Sequence, residues 1–178
     1  MDAYTIRPFG QREYAETKDG ITKHTRKFGE TEWKPIDSPP PPPTSTQSPL
    51  QLHLIREKQA EGEPHHWSLF VAREGQSLGN QYQVTGDATM MRYVHATDVD
   101  ILKLDSINSI YLLEALKDED EDVVAHIAET EVPPYAENRA AVKENCQGWC
   151  VRVVDKLIEE LIVNERWHAH LVEMLQPV

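Results

Sequence analysis

Alternation of apolar and polar residues predicts several short strands in the first hundred positions. The clearest segment is HHWSLFVA, in which His66, Ser68 and Phe70 lie on one face and Trp67 and Leu69 lie on the other. Both faces carry apolar residues, so we expect this strand to be partly buried on both sides. Three further segments have strand patterns and are joined by short connections: residues 50–60, 81–86 and 90–96.

Beyond residue 98 the spacing of apolar residues becomes helical. The strongest pattern runs from Asn145 to Val163, where charged residues cover the face opposite the apolar one and Asn145 is a favourable N-cap. Helices are also predicted in three other segments: residues 106–117, 123–129 and 165–175. The fold class is therefore predicted to be α+β, with a small antiparallel sheet packed by helices.

A proline run divides the chain. Pro39–Pro43 have no backbone donors and favour an extended polyproline helix. We therefore predict an N-terminal arm with short strand-like pieces over residues 1–37, a proline-rich linker over 38–49 and the main domain over 50–178. The run at 39–43 is interpreted as a semi-rigid spacer, and the alternative is a ligand for a proline-binding module.

The charge balance narrows the classes of partner. The 178 residues include 18 Lys and Arg against 30 Asp and Glu, which gives a net charge of −12. Such a polyanion repels phosphate backbones, so we expect no nucleic-acid partner. No apolar run is long enough to span a bilayer, and the N-terminal residues lack a signal pattern. Two cysteines cannot form a disulfide framework, and we expect a cytoplasmic protein.

Cys146 is the strongest candidate for chemistry. It lies in the first turn of the predicted long helix, where the helix dipole and unpaired amides stabilise a thiolate. Cys150 lies one turn later, among apolar neighbours, and is predicted to be a packing residue. A nucleophilic cysteine needs a base, and His66 can meet Cys146 if the helix packs on the His66 face of its strand. The alternative is that His66 caps the strand in solvent.

These residues carry a resemblance to a known group. The segment His66–Val71, followed by two short strands and then by NCQGW at 145–149 opening a helix, resembles the circularly permuted papain-like superfamily. Its branches include NlpC-type, lecithin:retinol acyltransferase-like and PPPDE-type enzymes. The pattern is closest to small fungal proteins with an HW…NCQ.W motif. The resemblance covers residues 62–165 and implies a permuted papain-like domain.

The resemblance also implies roles for individual residues. Cys146 would be the nucleophile and His66 the general base, and Gln83 matches the position of the third polar residue. The family often has histidine there, and a glutamine orients an imidazole without supplying a charge. His95 is the reserve candidate for that role. The backbone amide of Cys146 would contribute to an oxyanion hole, while Gln147 is assigned no chemical role.

The sequence lacks the motifs required for metal binding, phosphate binding or serine hydrolysis. The pairs His65–His66 and His168–His170 do not have zinc-ligand spacing, and phosphate-binding loops and serine elbows are missing. The five acids at 118–122 are interpreted as a solvated turn and helix start, since EF-hand spacing is absent. We therefore expect no cofactor and no metal.

The sequence thus predicts cysteine-dependent acyl chemistry on a small-molecule or peptide substrate. The enzyme would be an amidase, a peptidase or an acyltransferase. Two alternatives stay open. One is an isomerase or cyclase that uses the same Cys–His pair in small-molecule metabolism, and the other is a catalytically silent binding protein on this fold.

Overall fold

The computed structural model describes residues 4–9, 12–17, 23–27, 31–35 and 48–178. The chain forms two compact units, residues 1–46 and residues 47–178. The boundary between them falls inside the segment predicted as the linker, 38–49. The proline run at 39–43 lies outside the described residues, so its interpretation stays a prediction.

The described part of the first unit is an antiparallel sheet in chain order. Its strands are β1 (Tyr4–Phe9), β2 (Arg12–Thr17), β3 (Lys23–Lys27) and β4 (Lys34–Pro35). Ala15 is buried within it, and the Arg26 guanidinium lies 4.4 Å from the centre of the Trp33 ring. The strand-like pieces predicted in residues 1–37, at 5–9, 19–28 and 31–36, correspond to β1, β3 and β4, whereas β2 was not predicted.

The second unit contains the main sheet and three α-helices within residues 48–178. The strands lie in the order β8-β7-β6-β5-β9, and every neighbouring pair is antiparallel. They are β5 (Leu50–Glu57), β6 (His66–Arg73), β7 (Leu78–Thr85), β8 (Arg92–Asp100) and β9 (Ile107–Leu116). The helices are α1 (Asp120–Thr130), α2 (Cys146–Glu159) and α3 (Arg166–Glu173). The predicted α+β class with an antiparallel sheet is confirmed.

One predicted helix is wrong. Residues 106–117 form strand β9 instead, paired along its length with β5. Its side chains alternate in exposure, so that Leu112 is 48% exposed while its neighbour Leu113 is 1% exposed. The segment is apolar at both helical and strand spacings. The unpaired edge of β5 decides between them, because it offers a complete ladder of backbone hydrogen bonds.

The two faces of the main sheet have different cores. Trp67, Leu69 and Val71 face the helices and join one large cluster with Trp149 and other residues of α2. Phe70 lies in a smaller cluster on the other face, with Ile55 and Ala72. Helix α2 therefore packs on the face opposite His66, Ser68 and Phe70, so the packing that was the stated condition for His66 to meet Cys146 is not present.

The start of helix α1 agrees with the acidic run in the sequence. Helix α1 begins in the acidic run and has Asp120, Glu121 and Asp122 in its first turn, which is the favourable end of the helix dipole for acids. Among the described residues, none of the helices has the length and apolar character required to cross a bilayer.

Candidate functional site

His66 and Cys146 come together because each occupies the first position of its element. His66 is the first residue of β6, and Cys146 is the first residue of α2. The helix packs on the opposite face of the sheet, yet its N-terminus reaches the end of the strand, so that His66 and Cys146 line the same cavity and the Cys146 thiol acts on the pKa of the His66 ring. The two residues predicted as a pair therefore lie at one site.

The start of helix α2 is fixed by its N-cap. Asn145 has an extended backbone, and its side-chain oxygen accepts a hydrogen bond of 2.9 Å from the backbone amide of Gln147. The predicted capping role of Asn145 is confirmed. The cap uses the Gln147 amide, while the amide of Cys146 lies in the first turn, where no residue of the helix provides an acceptor.

Gln147 holds the strand start against the helix start. Its side-chain nitrogen donates to the backbone oxygen of His65 at 2.7 Å and to Oε1 of Gln176 at 3.0 Å. Its side-chain oxygen accepts from the backbone amide of Gln176 at 2.8 Å, and Gln176 Oε1 accepts from the amide of His65 at 2.7 Å. This positioning role of Gln147 was not predicted from the sequence. The available signal was a polar residue beside the cap of a mostly apolar helix, since a buried amide needs several partners.

Gln83 orients the His66 ring. The ring Nε2 lies 2.7 Å from Oε1 of Gln83, so Nε2 carries the hydrogen and donates it to the amide oxygen. The other nitrogen, Nδ1, is then free to accept a proton from the Cys146 thiol. The reserve candidate His95 lies elsewhere: it is exposed and stacks on Tyr82, with 4.6 Å between ring centres.

The surroundings of His66 favour its protonated form. Burial lowers the pKa of His66, but a hydrogen bond and charge interaction with Cys146 raise it, and Gln83 and Glu57 add to the increase. The net result is a pKa above the ordinary value of 6.5. An imidazole with a raised pKa holds a proton taken from the thiol more firmly near neutral pH.

Cys150 has a different environment. It is fully buried in the main core, and burial raises the pKa of its thiol far above the ordinary range. Both cysteines are free and both are buried in the main core, Cys146 at 3% exposure and Cys150 at 0%, but of the two it is Cys146 that lines a cavity. The expected division between a cysteine at the helix start and a packing cysteine one turn later therefore matches their positions.

The pair opens on a cavity of about 930 Å³. Its wall includes Cys146, His66 and Gln83, and its rim includes the exposed residues Glu63 and Asp87. The exposed rim connects the cavity to solvent. This volume is typical of small-molecule sites, which occupy about 300–1,000 Å³.

The remaining histidines considered above have structural partners. His168 Nδ1 lies 2.7 Å from a carboxylate oxygen of Asp155, and His170 packs edge-on against Trp167. Within the described ranges, no group of three His, Cys, Asp or Glu residues is arranged to hold a metal ion.

Comparison with known proteins gives one result. A family model described as "Family of unknown function (DUF6540)" matches residues 52–164. This range includes His66, Gln83 and Cys146. A search of curated proteins found no match, and neither did a search of solved structures.

Proposed function

Since the chain belongs to the DUF6540 family, whose function is unknown, we propose its function from the site: cysteine-dependent acyl chemistry, with Cys146 as nucleophile and His66 as general base. The observation that supports this most is that Cys146 and His66 line one cavity while Gln83 holds Nε2 of the His66 ring. A nucleophile, a base and an orienting group are the three parts that such a site requires.

The first step is transfer of the thiol proton. His66 Nδ1 accepts the proton of Cys146, and the thiolate sulfur then attacks the carbonyl carbon of an amide, ester or thioester. A tetrahedral oxyanion forms. The backbone amide of Cys146, at the positive end of α2, is proposed as one donor to this oxyanion.

The second step breaks the bond to the leaving group. The imidazolium of His66 returns its proton to the departing amine, alcohol or thiol, and the acyl group stays on the sulfur as a thioester. Water, an amine or an alcohol then attacks this thioester while His66 accepts the attacking group's proton. Water as the acceptor gives a hydrolase, and an amine or alcohol gives a transferase.

Gln83 acts in this scheme as an amide orienter. It holds the ring through Nε2 and leaves the imidazolium charge to be balanced by the thiolate. Amide orienters serve the same purpose in Cys–His–Asn sites. A glutamine at this position is therefore compatible with turnover.

The proposal includes the permuted papain-like superfamily as the origin of the fold. The order of elements supports it, since the histidine on strand β6 precedes the cysteine that opens helix α2. A cytoplasmic location suits a protein with two free thiols. The substrate class proposed is a small molecule or a short peptide segment, in agreement with the cavity volume.

Iodoacetamide labelling of the full chain tests the proposal. Near neutral pH, we expect Cys146 to react at least about tenfold faster than Cys150, and His66→Ala to slow Cys146 about tenfold or more. Both cysteines lie between Lys143 and Arg152, hence in one tryptic peptide. Fragmentation of that peptide in the mass spectrometer assigns the label to either sulfur.

His95→Ala is the matched control, because this histidine is exposed, stacks on Tyr82 and is not among the residues that line the cavity. It should leave the Cys146 rate unchanged. Equal, slow labelling of both cysteines would contradict the proposal and favour a binding protein. Reaction with an activated acyl ester then separates the remaining classes, since an acyl mass increment on Cys146 is expected for acyl transfer and not for an isomerase.

A further inference from the structure

A continuous chain of side-chain hydrogen bonds leads away from His66 through two glutamines. Gln83 accepts from the ring through Oε1 and donates through Nε2 to Oε1 of Gln81, at 3.3 Å. Gln81 in turn donates through Nε2 to a carboxylate oxygen of Glu57, at 3.5 Å, and to the hydroxyl of Ser68, at 2.9 Å. We call Gln83 and Gln81 together the amide chain.

The amide chain has a direction, and its last member sets that direction. Each amide has one end that donates and one that accepts, so reversing one amide requires the reversal of the next. A carboxylate only accepts. Glu57 therefore requires the NH₂ end of Gln81, which leaves the oxygen of Gln81 for Gln83 and the oxygen of Gln83 for His66. The hydroxyl of Ser68 both donates and accepts, so it imposes no direction.

We propose that Glu57 is a positioning residue that fixes the tautomer of His66 through the amide chain, so that Nε2 carries the hydrogen and Nδ1 faces Cys146. This inference rests on the proposed role of His66 as the base. It adds a residue that sequence analysis did not include in the site.

The burial of the amide chain makes a reversal of its hydrogen bonds costly. Ser68 is fully buried and Gln81 is 6% exposed where it borders the cavity, so a reversed Gln81 amide would turn its oxygen toward the Glu57 carboxylate with little access to water. Glu57 is itself held at the end of β5, where the hydroxyl of Ser106 donates to its second oxygen at 2.6 Å. The charge of Glu57 also contributes to the raised pKa of His66.

The first test reads the tautomer by ¹⁵N NMR of the histidine rings, in full-length protein carrying Cys146→Ala. At a pH where His66 is neutral, we expect the Nε2–H form to dominate. Adding Glu57→Gln removes the obligate acceptor while keeping the side-chain shape, and should produce a clear fraction of the Nδ1–H form. Glu63→Gln is the control, because Glu63 lines the same cavity and carries the same charge, yet lies outside the amide chain.

The second test measures Cys146 labelling with iodoacetamide in chains that keep the cysteine. Glu57→Gln should slow labelling by about tenfold, while Glu63→Gln stays within about twofold of the parent. Gln83→Glu provides a rescue, because a carboxylate placed directly on Nε2 fixes the tautomer without Glu57. In the Gln83→Glu background, Glu57→Gln should therefore have little further effect.

The outcomes separate this inference from the proposed function. Fast, His66-dependent labelling that Glu57→Gln leaves unchanged would overturn the role of Glu57 and leave the acyl chemistry standing. An unreactive Cys146 combined with a Glu57-dependent tautomer would overturn the acyl chemistry and leave the role of Glu57 standing. A tautomer that Glu57→Gln leaves unchanged in the Gln83 protein would show that the amide chain does not control the ring.

Discussion

The candidate chemistry depends on a few side chains whose hydrogen bonds have a fixed direction. His66 has one nitrogen on Gln83 and the other available to Cys146, so the same ring can accept a proton from the thiol and stay aligned. Both cysteines are buried in the main core, but Cys146 borders the cavity, whereas Cys150 does not and burial disfavours its thiolate. Environment, rather than residue type, separates the two cysteines.

At this scale we predict that Cys146→Ala lowers the pKa of His66. Cys146 supplies the largest of the contributions that raise this pKa, and burial, which lowers it, remains after the substitution. An NMR titration of the His66 ring in the two proteins measures the change. An unchanged or higher pKa in the variant would mean that the two side chains do not interact.

The same shift has a consequence for stability against pH. A group with a raised pKa in the folded state stabilises the fold fully below its unfolded pKa, and the contribution is lost as the pH rises through the folded pKa. The wild type should therefore lose more stability than Cys146→Ala as the pH rises above about 6.5. Denaturant unfolding at a series of pH values provides the comparison.

Secondary-structure elements place these side chains at one cavity through their ends. Strand β6 begins at His66, helix α2 begins at Cys146, and Gln147 ties the backbone before the strand to the first turn of the helix. The apolar face of α2 meanwhile packs against Trp67 and Leu69 on the other side of the sheet. The site is thus built at an edge of the packed layers, where side chains still reach solvent.

For strand β9 we predict unequal effects of truncating two neighbouring leucines. Leu113→Ala should lower the free energy of unfolding by about 2–4 kcal/mol, because Leu113 is 1% exposed. Leu112→Ala should cost well under half of that, because Leu112 is 48% exposed. Denaturant unfolding monitored by tryptophan fluorescence gives both values. Equal costs would argue against the alternating burial of a strand.

At the scale of the whole molecule, the two units contribute differently to the site. Every residue of the Cys146–His66–Gln83 arrangement, and of the amide chain with Glu57, belongs to the unit of residues 47–178. The family match, at residues 52–164, lies within the same unit.

We accordingly predict that residues 47–178 alone fold cooperatively and keep the labelling rate of Cys146 within about threefold of the full chain. Circular dichroism with thermal unfolding reports the fold, and the iodoacetamide assay reports the site. The same unit carrying His66→Ala serves as the control for base-dependent reactivity. A well-folded unit with an unreactive Cys146 would assign residues 1–46 a direct part in the site.

The amino-acid sequence by itself determined those strands and helices whose apolar residues recur at one clear spacing. It also determined the functional residues at their first positions. The strand beginning at His66, the helix beginning at Cys146 and the cap at Asn145 all follow from local patterns, because their signals lie within a few residues. Only the tertiary structure decided that 106–117 is a strand, that α2 packs on the face opposite His66, and that Gln147 and Glu57 join the site. Each of these depends on a partner distant in sequence, such as the edge of β5 or the amide chain, and local spacing carries no information about such pairings.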